Sequence, residues 1–321
     1  MRRIDLHLLG PLVALVGLFI LGALLNPAFL APANLSNVVG RSAFIGLIAI
    51  GMTFVITQGG LDLSVGSMAA FLAGITIMAM NALVPLTGVN WGTILIGMGV
   101  ALGGGLLAGG VNGALITKAR IEAFIVTLGT MGIFRSLMTW LADGGTLSLD
   151  SGLRALYRPV YFGGIGWVTW PIIIFALAAI IGEFVMRHTR FGRHVEAIGS
   201  NDRVARYSAI DVERVRLTTY VILGALVGLA TILYVPRLGS ASGSTGTLWE
   251  LEAIAAVIIG GTALKGGTGR VWGTVVGVLI LSLIDNILNL ANLVSPYLNG
   301  AIQGVIIVLA VVLQREKRAA E

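Results

Sequence analysis

The side chains with the type and spacing to do chemistry are few, and most lie within apolar sequence. Asp285, Asn289 and Asn292 stand at i, i+4, i+7, one face of a helix, with Ser282 extending the stripe and Asn286 beside it. Such groups can exchange hydrogen bonds with a polyhydroxylated solute, or they can only tie helices together. Asn112 and Gln303 are further candidates of the same kind. Asp62 follows Gly59 and Gly60 and precedes Ser64. Its carboxylate can cap the start of a helix or serve a partner or gating contact. Arg154, Tyr157, Arg158 and Tyr161 form a basic-aromatic cluster whose arginines, with Arg237, can fork onto surface carboxylates. The absences are as informative. There is no GxxxxGK[ST], no GxSxG and no pair of carboxylates flanking a cleft, so nothing argues for bond-breaking chemistry. Cysteine is absent, and the three histidines, His7, His188 and His194, form no HExxH, so no metal site is expected.

The elements that must carry these groups are set by composition. Of 321 residues 56% are apolar and 11% charged, against about 25% charged in an ordinary soluble domain. Mean hydropathy is +0.94. A membrane span takes about 20 apolar residues. The apolar runs predict ten helices, near 8–25, 38–57, 63–80, 92–117, 121–141, 170–186, 217–236, 250–264, 271–290 and 298–314. The expectation is an all-α polytopic membrane protein, one transmembrane domain over 1–321. The third and eighth segments are candidates for broken or re-entrant pieces. The first run is long enough to stay in place as a span rather than leave as a signal peptide. Soluble enzymes, nucleic-acid-binding modules and disordered tails are excluded.

Positive charge orients the chain. With both termini cytoplasmic, the outer connections hold only Arg154, Arg158 and Arg237, and Arg41 and Arg135 fall inside spans. The rest of the 21 Lys and Arg gather on the inner side. Arg41 can snorkel, Glu122 can pair locally, and Arg135 should meet a helix carbonyl or an acid. The net charge of +6 is therefore a topology signal rather than a nucleic-acid one. All six Trp fall at predicted span ends, as interface anchors do, although an outer Trp could also stack on a sugar ring. The 45 glycines favour close helix packing, with hinge motion as the alternative. Gly59, Gly60, Gly66 and Ser67 return as Gly266, Gly267, Gly273 and Thr274, a weak parallel internal repeat at two cytoplasmic turns.

Two connections are longer than a turn requires. The outer one covers 143–169. The inner one covers 187–216 and contains HTRFGRHVEAIGSNDRVARYSAI. It carries seven arginines (Arg187, Arg190, Arg193, Arg203, Arg206, Arg214 and Arg216) offset by Glu196, Asp202, Asp211 and Glu213. Asn201 suits an N-cap, with Val204, Tyr207 and Ile210 on one face of a short helix. Periodicity alone leaves open a solvated loop lying on anionic lipid or a docking helix for a partner.

This connection resembles the coupling loop of permease subunits of ABC importers for simple sugars, the ribose-type family. GGLDLSVGS (59–67) resembles that family's turn after its second span, and ELEAIAAVIIGGTALKGGTGRVWGT (250–274) its late signature. Order, spacing and length agree across the whole chain. Two departures stand out: Ala209, where the family often has glycine, and Lys265, where it often has a small residue.

The resemblance implies a permease of the bacterial inner membrane that works as a homodimer or with a sister permease. It implies no cofactor in this chain, ATP and Mg being bound by a cytoplasmic ABC ATPase, and a periplasmic sugar-binding protein docking outside. Coupling would fall to Arg193, Glu196, Ala197, Gly199, Asn201, Ala205, Tyr207 and Ile210. The rival classes are an ion-gradient-driven secondary transporter and a membrane-embedded enzyme or scaffold.

Overall fold

The structure is a computed structural model that describes residues 6–291, 298, 301–302 and 304–305. In chain order the elements are α1 (Leu6–Leu25), a 3-10 turn (Pro27–Leu30), α2 (Pro32–Thr57), α3 (Val65–Thr87), α4 (Trp91–Thr117) and α5 (Ala123–Leu141). There follow β1 (Thr146–Ser148), α6 (Ser151–Tyr157), α7 (Pro159–Phe162), β2 (Gly164–Ile165), β3 (Val168–Thr169) and α8 (Trp170–His188). The chain continues as α9 (Arg190–Ser200), α10 (Asp202–Tyr207), α11 (Val212–Leu238), β4 (Ser240–Ser242), α12 (Trp249–Ile259) and α13 (Val271–Ala291).

Seven of these helices, α2, α3, α4, α5, α8, α11 and α13, are long and apolar enough to cross a bilayer, and α1 adds the shorter apolar stretch Gly10–Leu25. Their ends follow local chemistry. Pro32 opens α2, its fixed φ suiting a first turn. The Asn90 side chain accepts from Thr93 N at 3.1 Å to open α4, and Asp211 accepts from Arg214 N at 3.0 Å to open α11. Gly239, left-handed at φ +67°, closes α11.

The predicted third segment is an unbroken helix that runs on to Thr87. The eighth is broken. Only the 11 residues of α12 are helical. At 1.5 Å per residue they reach about 16 Å, short of the roughly 30 Å of hydrocarbon. The chain instead dips back from β4 as non-helical backbone before α12 begins. The predicted tenth segment lies largely outside the described residues.

The long apolar α2 is the most deeply buried span, with α8, α11, α12 and α13 packed around it. The tightest pairing joins α4 to α11 along Gly105, Gly109 and Gly113. A methyl on Gly105 would collide with the Gly224 carbonyl, and one on Gly109 with the Tyr220 carbonyl. The small-residue spacing thus sets backbone contact between two spans. Two short antiparallel ladders close the opposite ends of loops: Thr146 pairs with Ser242, Leu147 with Ala241 and Ser148 with Ser240, while β2 and β3 form a hairpin.

Candidate functional site

The α8–α11 connection folds into a two-helix elbow with a small core of its own. Thr189 Oγ1 accepts from Gly192 N at 3.2 Å and starts α9. Val195 and Ile198 of α9 pack with Ala205 of α10 and with Val212 and Val215 of α11. Asn201 accepts from Val204 N at 3.1 Å and starts α10. Ion pairs ring the elbow: Arg187 with Glu183 (3.4 Å) and Glu196 (3.7 Å), Arg206 with Asp202 (3.1 Å), and Arg216 with Asp202 (3.2 Å). Val204 and Tyr207 project outward, Tyr207 at 90% exposure.

Ile210 does not join them. Helix α10 ends at Tyr207, and two residues on Ala209, left-handed at φ +59°, lets Ile210 N donate back to the Ala205 carbonyl and turns Ile210 toward the elbow's core. Ala209 is thus where glycine would be at ease. Ala209→Gly is expected to stabilise the chain by about 1 kcal/mol, read as a rise in Tm of roughly 2 °C in detergent. An unchanged or lower Tm would mean the left-handed turn carries no cost.

The elbow is seated on the two glycine turns noted in the sequence. Gly267 N donates to the Thr57 carbonyl at the end of α2 (2.8 Å). Gly199, near the end of α9, lies against that same carbonyl and against Gly267 N, with no room for a Cβ. Gly59 and Gly266, both at positive φ, meet beside it. Thr53 and Thr274 hydroxyls bond across α2 and α13 at 2.7 Å. Gly66 touches the Gly246 backbone and Gly273 touches Gly260, so both glycines bracket α12. Sequence pattern does not single out Glu183, yet its carboxylate accepts from Val271 N (2.9 Å) and Trp272 N (3.3 Å) and tethers α13 to α8 beside the elbow. The only sequence signal for it was an acid near the end of an apolar helix. Lys265 is exposed in the turn itself.

Asp62 is 1% exposed in the turn between α2 and α3. One carboxylate oxygen accepts from Ser64 N (2.8 Å) and Ser64 Oγ (2.6 Å), and the other from Asn112 Nδ2 (3.2 Å). Burial pushes the carboxyl up, and these bonds pull the other way. Tyr220 Oη donates to the Leu61 carbonyl at 3.0 Å, which fixes the rest of the turn. Asn112 itself is fully buried and gives its amide to Asp62 and Ser64. It therefore lines no path in this conformation, because a path-lining group must reach water.

The α13 stripe is split. Asn286 pairs with Asn34 through reciprocal bonds of 3.1 and 2.9 Å, the helix-tying role. Asn289 is exposed and donates to the Asp285 carbonyl at 2.8 Å. Ser282 and Asp285 are half-buried on the same face. Asn292 and Gln303 lie outside the described residues.

At the far end of the bundle, Arg154 and Arg158 are exposed, with the Arg158 guanidinium 4.9 Å over the Phe162 ring. Tyr157 is wholly buried, and its hydroxyl donates to the Ile232 carbonyl at 2.8 Å. That excludes it from a docking surface. It pins α6 to α11 instead, and burial raises its phenol pKa. Arg237 is also drawn inward, 5.6 Å from both the Phe44 and Tyr161 rings. Arg135 meets carbonyls, though of the turns that follow β4 rather than of a helix: it donates to Gly243 O (2.7 Å) and to Thr245 O.

A family model described as the permease component of branched-chain amino acid transport systems matches residues 34–311. The chain is 39% identical over 315 residues to the ribose import permease protein of Bacillus subtilis (strain 168), covering 97% of this chain and 94% of that protein. It is 35% identical over 310 residues to the ribose import permease protein of Escherichia coli (strain K12), covering 96% and 93%. It is 33% identical over 313 residues to the L-arabinose transport system permease protein of the same strain, covering 97% and 92%.

Proposed function

The chain belongs to the family of ABC-type transport permease components to which those relatives belong, and from that premise we propose that it passes a simple, ribose-like sugar across the bacterial inner membrane. The pump's nucleotide chemistry resides in a separate ATPase, and permeases of this kind work with such an ATPase and with a binding protein. ATP and Mg bind to that partner, and this chain needs no cofactor of its own. In this reading the chain makes ten crossings, with both termini and the 187–216 elbow in the cytoplasm and the 143–169 connection in the periplasm. Two permease copies, or this chain and a sister, face each other in the lipid bilayer.

The observation that carries the reading is the seating of the elbow. Exposed Val204 and Tyr207 offer an apolar contact framed by ion pairs, and Gly199 on the same unit abuts the ends of α2 and of the turn before α13. A push on α9 and α10 would thus be delivered to two spans as backbone contact, with little side-chain slack. Arg193, Glu196 and Ala197 lie on the solvent-reachable part of α9 and complete the ATPase face.

Reconstituted with its ATPase and binding protein, the chain should take up labelled pentoses only when ATP is supplied. Uptake by the chain alone, driven by an ion gradient, would favour the secondary transporter. At the periplasmic end, the binding protein would land on exposed Arg154 and Arg158. The double charge reversal Arg154→Glu/Arg158→Glu should weaken its docking on nanodiscs about tenfold or more, given two charge-assisted contacts. Unchanged affinity would remove these arginines from the interface.

A further inference from the structure

After β4 the chain turns back into the bundle without helix. Backbone of that kind is tolerated at membrane depth only where protein covers it or where it borders a wet cavity. Both conditions hold here. Arg135 of α5 satisfies the Gly243 and Thr245 carbonyls from one side. Beside this backbone lies an open cavity of about 380 Å³, large enough for a solute of a few hundred Å³ or less.

Its lining is neutral and rich in hydroxyls: Ser242, Ser244, Thr245 and Thr247, with Tyr234 and Trp249 as aromatic walls and no charged side chain. The Ser242 and Ser244 hydroxyls are 2.9 Å apart. Tyr234 Oη reaches Thr245 Oγ1 at 3.4 Å, a long bond readily exchanged for a better partner. The half-buried Trp249 ring is held edge-to-face against Tyr234 (5.4 Å) and parallel to Phe44 (6.3 Å). A zwitterionic amino acid would strand two charges here. A sugar would not, because rotating hydroxyls both donate and accept, and an aromatic face suits its C–H side.

We propose that this cavity is a low-affinity subsite for a neutral polyhydroxylated solute of monosaccharide size, formed where the eighth crossing is broken. The subsite rests on the sugar-transport reading and adds a stopping place within it. Hydroxyls that rotate to match their partner would tolerate several stereoisomers, leaving selectivity to the binding protein.

The test uses the full chain in nanodiscs, its tryptophan fluorescence titrated with D-ribose, D-xylose, L-arabinose and, as the charged control, L-leucine. The sugars should give a saturable change in the millimolar range, absent for leucine and lost in Trp249→Phe. Ser242→Ala/Ser244→Ala should weaken binding about tenfold, and Ser244→Ala alone, at an exposed position, should weaken it by less. No saturable sugar signal, an equal response to leucine, or wild-type binding in the serine variants overturns the subsite. Uptake by the assembled complex separates the two readings. Sugar binding without ATP-driven uptake supports the cavity and sinks the transport reading, whereas ATP-driven uptake with serine variants that bind as wild type sinks the cavity alone.

Discussion

Gly199→Ala should cut ATP-driven uptake by roughly a hundredfold, the equivalent of about 3 kcal/mol. The reason is geometric. A Cβ at this position would press on the Thr57 carbonyl and on Gly267 N, both backbone atoms fixed by their own hydrogen bond. Overpacking in a tight interior costs about 1–3 kcal/mol, and a backbone neighbour cannot rotate away, so the upper end applies. The elbow must lift off the bundle. Membrane insertion should survive, because no apolar span is altered. The variant should therefore still bind the ATPase while hydrolysis and sugar uptake come apart. Ser200→Ala, exposed one residue on, serves as the control. Wild-type uptake by Gly199→Ala would show that the elbow is not rigidly seated.

The second large effect is at Asp62. Asp62→Leu should destabilise the chain by about 3–4 kcal/mol, since Ser64 N would be left buried without its acceptor and the Ser64 hydroxyl and Asn112 Nδ2 would each lose a hydrogen bond. Asp62→Asn separates the two roles open at the sequence level. Asn112 Oδ1 is buried without a partner, so a flipped Asn112 could face the new amide and keep the turn. If the carboxylate only holds the turn, Asp62→Asn should fold and transport within a fewfold of wild type. A folded but inactive Asp62→Asn would assign the charge itself to gating. Thermal unfolding in detergent, read beside uptake, distinguishes the cases.

How much of this was legible depends on range. The runs that became α4, α5, α8 and α13 are long and unbroken, and their ends lie close to the expected ones. α2 starts earlier than expected because Asn34, Ser36 and Asn37 dilute the apolar signal over the first two turns of a helix that Pro32 nevertheless opens. The dip after β4 was hidden because serine, glycine and threonine in 240–247 look like any loop. What holds that dip is Arg135, more than a hundred residues away, and no local pattern announces such a partner. Tyr157 failed as a docking residue for a related reason: its place in a polar-looking outer loop says nothing about α11 passing beneath it. The elbow was legible because seven arginines, a capping asparagine and an excess of length coincide there. Its contact with the glycine turns was not, since positive φ already accounts locally for Gly59, Gly266 and Gly267.

Asn34 illustrates the same limit within the α13 stripe. Its pairing with Asn286 spans most of the chain, and only the fold reveals which polar residues on that helix tie helices together. Asn289, one turn further on, is the exposed member of the stripe among the described residues.

The absence of cysteine allows the central claim to be probed at a single introduced thiol. Tyr207→Cys places it at a position on α10 that is 90% exposed. In vesicles holding the permease, its ATPase and its binding protein, a short bis-maleimide should join this thiol to a cysteine introduced on the ATPase. In the same account, a membrane-impermeant maleimide should label the thiol from the cytoplasmic side alone. Labelling from the outside of intact cells, with no cross-link to the ATPase, would contradict the account.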